Sequence, residues 1–201
     1  MKILIIPTIR EIYKNQFEFC VDLRLLNFLN KIFKNPLIEV YNDTIKLDHD
    51  LIVFAGGNNS ITQNSADKFR NKINNIIYDY FLKKKNCILG ICHGAQFLAK
   101  KNGLILGKKK KHIGSHKVIF KIDKNSFKKV VNSFHNEIIK FKKLDEVDIF
   151  GIAEDNTVEA FHIKNMKILG IMWHPERYSK FKIFDKKLIK EFYATNSIVG
   201  R

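Results

Sequence analysis

Cys87-Ile88-Leu89-Gly90-Ile91-Cys92-His93-Gly94-Ala95-Gln96 decides the fold. Its first half, Cys87 to Ile91, is an unbroken apolar run, the form taken by a strand buried on both faces. The second half opens a helix over Ala95 to Lys101, with Asn102-Gly103 as its C-terminal stop. Between them stands Cys92, with glycines two residues away on either side. A sharp strand-to-helix turn brings neighbouring backbone too close for a Cβ, so this spacing predicts an elbow with a thiol at its tip, like the related serine elbow. At a helix N-terminus the dipole and free N–H groups favour thiolate, and thiols so placed fall to pKa values of about 3.5 to 7.5. The following N–H, that of His93, points where a tetrahedral oxyanion would form.

The same texture extends outward. Lys2 to Thr8, Leu37 to Tyr41 and Leu51 to Ala55 are further short apolar runs, the last ending at once in Gly56-Gly57-Asn58-Asn59. Val21, Leu25, Phe28, Leu29 and Ile32 recur at helical spacing until Asn35-Pro36. Ala66 through Phe81 carries a long amphipathic pattern, and Lys83-Lys84-Lys85 meets the negative end of its dipole. From Leu104 the runs shorten: Lys117 to Ile122, Lys129 to Asn132 and Val158 to His162 read as strands between polar turns. Strand Ile168 to Met172 and helix Phe181 to Tyr193 follow. Strand and helix in alternation predict an α/β three-layer sandwich, a mostly parallel central sheet with helices on both faces, extended or flanked by short antiparallel strands. With no repeat, linker or composition shift, residues 1–201 read as one domain.

Composition narrows the class. A hydrophobic content of 45% over 201 residues is enough for one sizeable core and excludes intrinsic disorder. No stretch approaches the roughly 20 apolar residues of a membrane span, and Met1 to Thr8 is too short for a signal peptide's apolar region, so the expectation is a cytoplasmic chain with no membrane partner. Cys20, Cys87 and Cys92 are too few and too irregular for a disulfide framework or a CxxC knuckle. The net charge of +16 comes from 36 Lys+Arg, only five of them Arg. Nucleic-acid readers lean on Arg for bidentate contacts, so no nucleic-acid partner is expected, and the excess is read instead as steering anionic small molecules. The basic run Lys108 to Lys111 reads as a solvated loop.

A nucleophilic thiol needs a base. Trp173-His174-Pro175-Glu176, after strand Ile168 to Met172, offers one with its own orienter. Residues two apart in an extended stretch face the same way, so the Glu176 carboxylate is expected to fix the His174 tautomer in a Cys-His-Glu arrangement. Both segments lie at carboxyl ends of strands, where ligand crevices form. Cys20 and Cys87 read as small buried hydrophobes. Among the other histidines, His116 and His135 are candidates to line the pocket, while His49, His112 and His162 read as structural or surface groups. Glu159 reads as a structural ion-pair partner. No two histidines sit at i,i+4 spacing around a Glu and no cysteine pair has ligand spacing, so neither a metal nor a cofactor is expected.

GICHGAQFLA, the Gly56-Gly57 loop and the terminal WHPE, in this order, resemble the class I glutamine amidotransferase domain over almost the whole chain. Val131-Asn132-Ser133-Phe134-His135, and more loosely Gly114-Ser115-His116-Lys117-Val118, resemble the γ-glutamyl hydrolase (peptidase C26-like) branch. The resemblance implies a flavodoxin-like sandwich in which Cys92 attacks a γ-glutamyl carbonyl, His174 moves protons and Glu176 orients His174. It implies an oxyanion hole from the backbone N–H groups of Gly57 and His93. Gln96 would hold the glutamyl head together with the Ser133, Phe134 and His135 segment. His93 stands where the family often carries Arg or Leu, and Asn58 and Asn59 where an acidic residue or Pro is common. Both departures are expected to touch the acceptor side and so the leaving group.

Three functions follow as expectations. The first is a thiol hydrolase that releases glutamate and an amine-bearing small molecule through a glutamyl thioester. Members of the family act on γ-glutamyl polyamine metabolites, folyl polyglutamates or γ-glutamyl nucleotide conjugates; the lysine excess favours an anionic leaving group such as that of γ-glutamyl-CDP-amidate in capsule phosphoramidate synthesis. The second is a glutaminase subunit delivering ammonia to a separate synthase partner. The third, a non-enzymatic regulatory or nucleic-acid-binding protein, has no use for the His174-x-Glu176 pair.

Overall fold

The structure, a computed structural model, describes residues 1–61, 63–109 and 112–195. Five parallel strands form one half of the sheet: β1 (Lys2–Ile6), β4 (Leu37–Val40), β5 (Leu51–Phe54), β6 (Cys87–Ile91) and β13 (Ile168–Ile171), in the order β4-β1-β5-β6-β13. Their side chains are buried on both faces at β5, β6 and β13, as continuous apolar runs require. The sheet then turns antiparallel through β12 (Thr157–Ile163), β11 (Val147–Ala153), β8 (Ile113–Ile122) and β9 (Asn125–Phe134). Two short strands, β7 (Ile105–Lys108) and β10 (Glu137–Lys140), attach beside β12. The expected antiparallel strands thus extend the same sheet.

Helices α1 (Leu23–Ile32) and α4 (Ile183–Thr195) cover one face, packing Leu25, Phe28, Leu29, Leu188 and Phe192 against β1, β5 and β6. Helices α2 (Ser65–Lys83) and α3 (His93–Lys101) cover the other through Ile73, Ile77, Phe81 and Leu98. The layers agree with the sequence reading; the differences are local. The hairpin β2 (Thr8–Tyr13) and β3 (Gln16–Cys20) occupies the stretch between Thr8 and Val21, where β2 lacks apolar alternation and only Phe17 and Phe19 of β3 alternate with polar residues; Ile12 and Tyr13 are exposed, and Asn15 makes the turn at φ +63°. Helix α3 starts two residues before Ala95, at His93. Ile76 and Tyr80, expected on the buried stripe of α2, are exposed, and Arg70 and Asn74 are buried there instead. Lys108 ends β7 rather than lying in a loop, and Lys109 pairs with Asp155 at 2.7 Å; Lys110 and Lys111 lie outside the described residues. No helix among the described residues is long and apolar enough to cross a membrane.

Candidate active site

The thiol's position follows from the elbow. Cys92 caps α3 with φ +51° and ψ −105°, a conformation that L residues rarely adopt, held by Cys92 N donating to Ile171 O at 2.8 Å and Gln96 N to Cys92 O at 2.9 Å. The flanking glycines are sterically required. A Cβ on Gly90 would lie 2.7 Å from Ala95 N, and one on Gly94 would collide with the carbonyl oxygen of Phe54.

His174 follows β13 directly, so the parallel pairing of β13 with β6 brings it to the same edge as Cys92. Its backbone is clamped by Asn132 of β9, which accepts from His174 N and donates to His174 O, both at 2.8 Å. Its Nδ1 lies 2.6 Å from Glu176 Oε1. The connecting chain is not extended as expected. Pro175–Arg177 forms a 3-10 turn closed by Arg177 N to His174 O at 3.1 Å, and Pro175 suits it because the first helical position needs no N–H. With Nδ1 committed to Glu176, Nε2 remains for the thiol. Burial pulls the imidazole's pKa down, but hydrogen bonds to Cys92 and Glu176 outweigh it and push it up to about 9. His174 is therefore an imidazolium at neutral pH.

The Gly56-Gly57 loop is anchored from below. Arg70, fully buried on α2, donates to the carbonyls of Ala55, Gly56 and Gly57 and to Asn58 Oδ1. Thr8 Oγ1 donates to Gly56 O at 2.7 Å, and Asn58 exchanges hydrogen bonds with the backbone of Ile9 on β2. A Cβ on Gly56 would stand 2.5 Å from His174 Cε1, so the loop lies against the imidazole. Burial holds Arg70 down at about 9.

Two cavities meet at this edge. An inner one of about 210 Å³ is lined by Cys92, Gln96, Phe134, His135, Glu137 and Arg177 among others. An outer one of about 340 Å³ opens beyond Gly56, Gly57, His174 and Glu176, and carries Arg10, Arg24 and Arg177, three of the five arginines of the chain. Asp22 holds two of these guanidiniums, Arg24 Nη2 at 2.9 Å and Arg177 Nε at 3.8 Å. Arg177 also lies over the Phe134 ring, 4.7 Å from its centroid.

The residues expected at the glutamyl head divide. Phe134 and His135 line the inner cavity with Gln96, whose amide accepts from Ser60 Oγ at 2.9 Å and donates to Glu137 O at 2.9 Å. Ser133 does not line it; its hydroxyl donates to the carbonyl of His112. Of the residues expected on the acceptor side, His93 lies apart from Asn58 and Asn59. His93 is buried beside Ser60, Asn71 and Phe97, away from both cavities, and burial drives its pKa well down. Asn58 and Asn59 lie on the inner cavity, where Asp67 of the α2 capping box holds their side chains. His116 lines neither of these two cavities; its Nε2 faces Glu159 at 3.2 Å. His112 is buried, with Nε2 3.2 Å from Asp155. His49 is buried against Glu39, and His162 packs against Phe192. Sequence reasoning missed Arg70 and Glu137, and the clamp that Asn132 of the Val131–His135 motif places on His174; the partners of all three lie far along the chain.

The glutamine amidotransferase class-I family model matches residues 18–195. A γ-glutamyl-CDP-amidate hydrolase of Campylobacter jejuni subsp. jejuni serotype O:2 is 34% identical over 183 residues, covering 87% of this chain and 88% of that protein. A glutamine-hydrolysing GMP synthase component of Picrophilus torridus is 31% identical over 138 residues, covering 64% and 68%. A glutamine amidotransferase structure from Thermotoga maritima shares the fold with a TM-score of 0.65 at 18% identity, over 87% of this chain and 76% of that one.

Proposed function

The chain belongs to the class I glutamine amidotransferase family, and from that premise we propose that it hydrolyses a γ-glutamyl amide through Cys92, His174 and Glu176. The observation that carries this reading is the pairing of His174 Nδ1 with Glu176 Oε1 at 2.6 Å beside an elbow thiol, with a cavity on each side. The Cys92 sulfur attacks the γ-carbonyl carbon, and the oxyanion accepts from the N–H groups of His93 and Gly57. The imidazolium of His174 gives its proton to the leaving nitrogen as the C–N bond breaks, leaving a glutamyl thioester. Water then attacks the thioester, passing a proton to His174. The C–S bond breaks, the thiolate returns and glutamate leaves.

The inner cavity takes the glutamyl group. Arg177 suits its α-carboxylate and Glu137 its α-ammonium, and the Phe134-His135 segment forms the wall beside Gln96. The outer cavity takes the leaving amine. Arg10 and Arg24 there suit a phosphate-bearing group, since guanidinium pairs bidentately with phosphate. With the relation to the Campylobacter jejuni hydrolase, this favours a γ-glutamyl nucleotide amidate such as γ-glutamyl-CDP-amidate over a γ-glutamyl polyamine. A second reading, a glutaminase delivering ammonia to a separate synthase, draws on the relation to the Picrophilus torridus protein.

The test is glutamate release from γ-glutamyl-CDP-amidate, γ-glutamyl polyamines and free glutamine, with Cys92→Ser as control. Fast turnover of the nucleotide amidate, slow turnover of glutamine and a glutamyl mass adduct on Cys92 are expected. Full activity in Cys92→Ser overturns the thiol mechanism. Silence on every amide until a synthase is added overturns the hydrolase in favour of the second reading.

A further inference from the structure

His135 is also one corner of a buried cluster that the hydrolytic reading does not use. His112 precedes β8, His116 lies on β8, His135 follows β9 and Glu159 lies on β12. The His112 ring centroid is 4.5 Å from that of His116 and 4.8 Å from that of His135. Glu159 is wholly buried, its Oε2 3.2 Å from His116 Nε2 and its Oε1 3.9 Å from His135 Nε2. Among the described residues, none of these four atoms makes a hydrogen bond of acceptable geometry. Buried polar atoms without partners are costly, and several facing one another signal something held between them.

The surroundings leave lone pairs aimed inward. His135 Nδ1 lies 3.0 Å from Glu137 O and can only donate to it, so in the neutral ring Nε2 is bare. His112 Nε2 faces Asp155 Oδ2 and Thr157 Oγ1, each at 3.2 Å, and the Ser133 hydroxyl is spent on the His112 carbonyl. A histidine whose outer nitrogen is held by a carboxylate or a carbonyl is the usual supporting arrangement of a metal ligand.

We propose that His112, His116, His135 and Glu159 bind one Zn²⁺ ion in a closed structural site. Ligand atoms of His112, His135 and Glu159 all lie within 4.8 Å of one another. Tetrahedral Zn²⁺ with bonds of about 2.0–2.1 Å sets its ligand atoms roughly 3.3 Å apart. The 3.2 Å contact of Glu159 with His116, which stands outside that group of three, is near this value, and the 3.9 Å contact of Glu159 with His135 closes by a small shift of the carboxylate. Three imidazoles and one carboxylate suit zinc and exclude the oxygen-seeking Mg²⁺ and Ca²⁺. Four protein ligands leave no open position, so the ion's work is to tie β8, β9 and β12 together behind the Phe134-His135 wall. The sequence hid this site because His112 and His116, although four residues apart, stand in a strand-forming stretch with no Glu between them, and their partners His135 and Glu159 lie far along the chain.

The full chain, stripped with chelator, is titrated with Co²⁺ and with Zn²⁺ in the wild type and in Cys92→Ala, which removes the thiol as a competing ligand. One equivalent of Co²⁺ giving tetrahedral visible bands, displaced by Zn²⁺, is expected in both proteins. At 100 times Kd the ion should raise Tm by about 5–10 °C. Glu159→Gln and His116→Gln should abolish the bands, and His116→Gln, at the cluster's more open edge, is the variant expected to fold. No stoichiometric uptake by the wild type overturns the proposal, as does uptake that survives both substitutions or that disappears in Cys92→Ala. None of these readouts depends on amide hydrolysis, so failure here leaves the proposed function standing.

Discussion

At the scale of single residues, the proposed chemistry turns on one proton. His174 holds it because Cys92 and Glu176 outweigh burial, with its pKa raised to about 9 against an ordinary value of about 6.5. The proton-donating form therefore persists through neutral pH and is lost as pH rises through about 9. The alkaline limb of kcat/KM is expected there. Glu176→Gln removes one of the two hydrogen bonds that raise the pKa, so the limb should move to lower pH while kcat falls about 10²–10⁴-fold. Rate–pH profiles of both proteins check this, and an unmoved limb would show that Glu176 does not act on His174. Linkage carries the same sign into stability: a raised folded pKa contributes fully below about 6.5 and is lost as pH climbs through about 9. Cys92, His174 and Glu176 were legible in the sequence because each sits inside a short local pattern. Arg70 and Asn132 were not. Each is a polar residue within a buried face, and its meaning lies in carbonyls or amides that only the folded chain brings near.

At the scale of elements, the elbow and the Gly56-Gly57 loop set the reacting geometry. Gly94→Ala would drive a methyl group into the Phe54 carbonyl at the end of β5, so the strand, the helix or the thiol must move. A loss of about 3 kcal/mol in denaturant titration, with hydrolysis falling further than stability, is the expected result; a variant of wild-type stability and rate would show that the elbow tolerates a Cβ. The parallel strands were legible because both faces are buried, which forces continuous apolar runs onto the sequence. The hairpin β2–β3 was not, because β2 exposes Ile12 and Tyr13 and its Arg10-Glu11 pair interrupts alternation, leaving only the short Phe17, Phe19 pattern of β3 as a signal. Strands β7, β10 and β11 escaped for a related reason. β7 and β10 have four residues each, and β11 pairs through register shifts at Gly151 that break its period.

At the scale of the whole molecule, the +16 charge is carried mostly by lysine, while three of five arginines converge on one cavity. Lysine supplies a diffuse field and arginine the local grip. For an anionic γ-glutamyl conjugate, kcat/KM should fall several-fold as salt rises toward about 0.15 M, where the Debye length is about 8 Å, and glutamine hydrolysis should change little. Initial rates across a salt series test this, and parallel salt curves would remove the charge from substrate capture. The order of strands has a separate consequence for how the protein comes into being. β13 is inserted between β6 and β12, so the middle of the sheet is filled by a strand that leaves the ribosome after both of its neighbours. Until it arrives, β6 presents a bare hydrogen-bonding edge with the thiol at its tip, and β12 presents another. A nascent chain arrested before residue 168 should therefore be protease-sensitive and prone to associate, with its thiol open to alkylating reagents. Emergence of the chain through Glu176 would close the sheet and bring His174 and Glu176 to Cys92 in the same step, so that under the proposed mechanism no half-made chain carries an activated thiol.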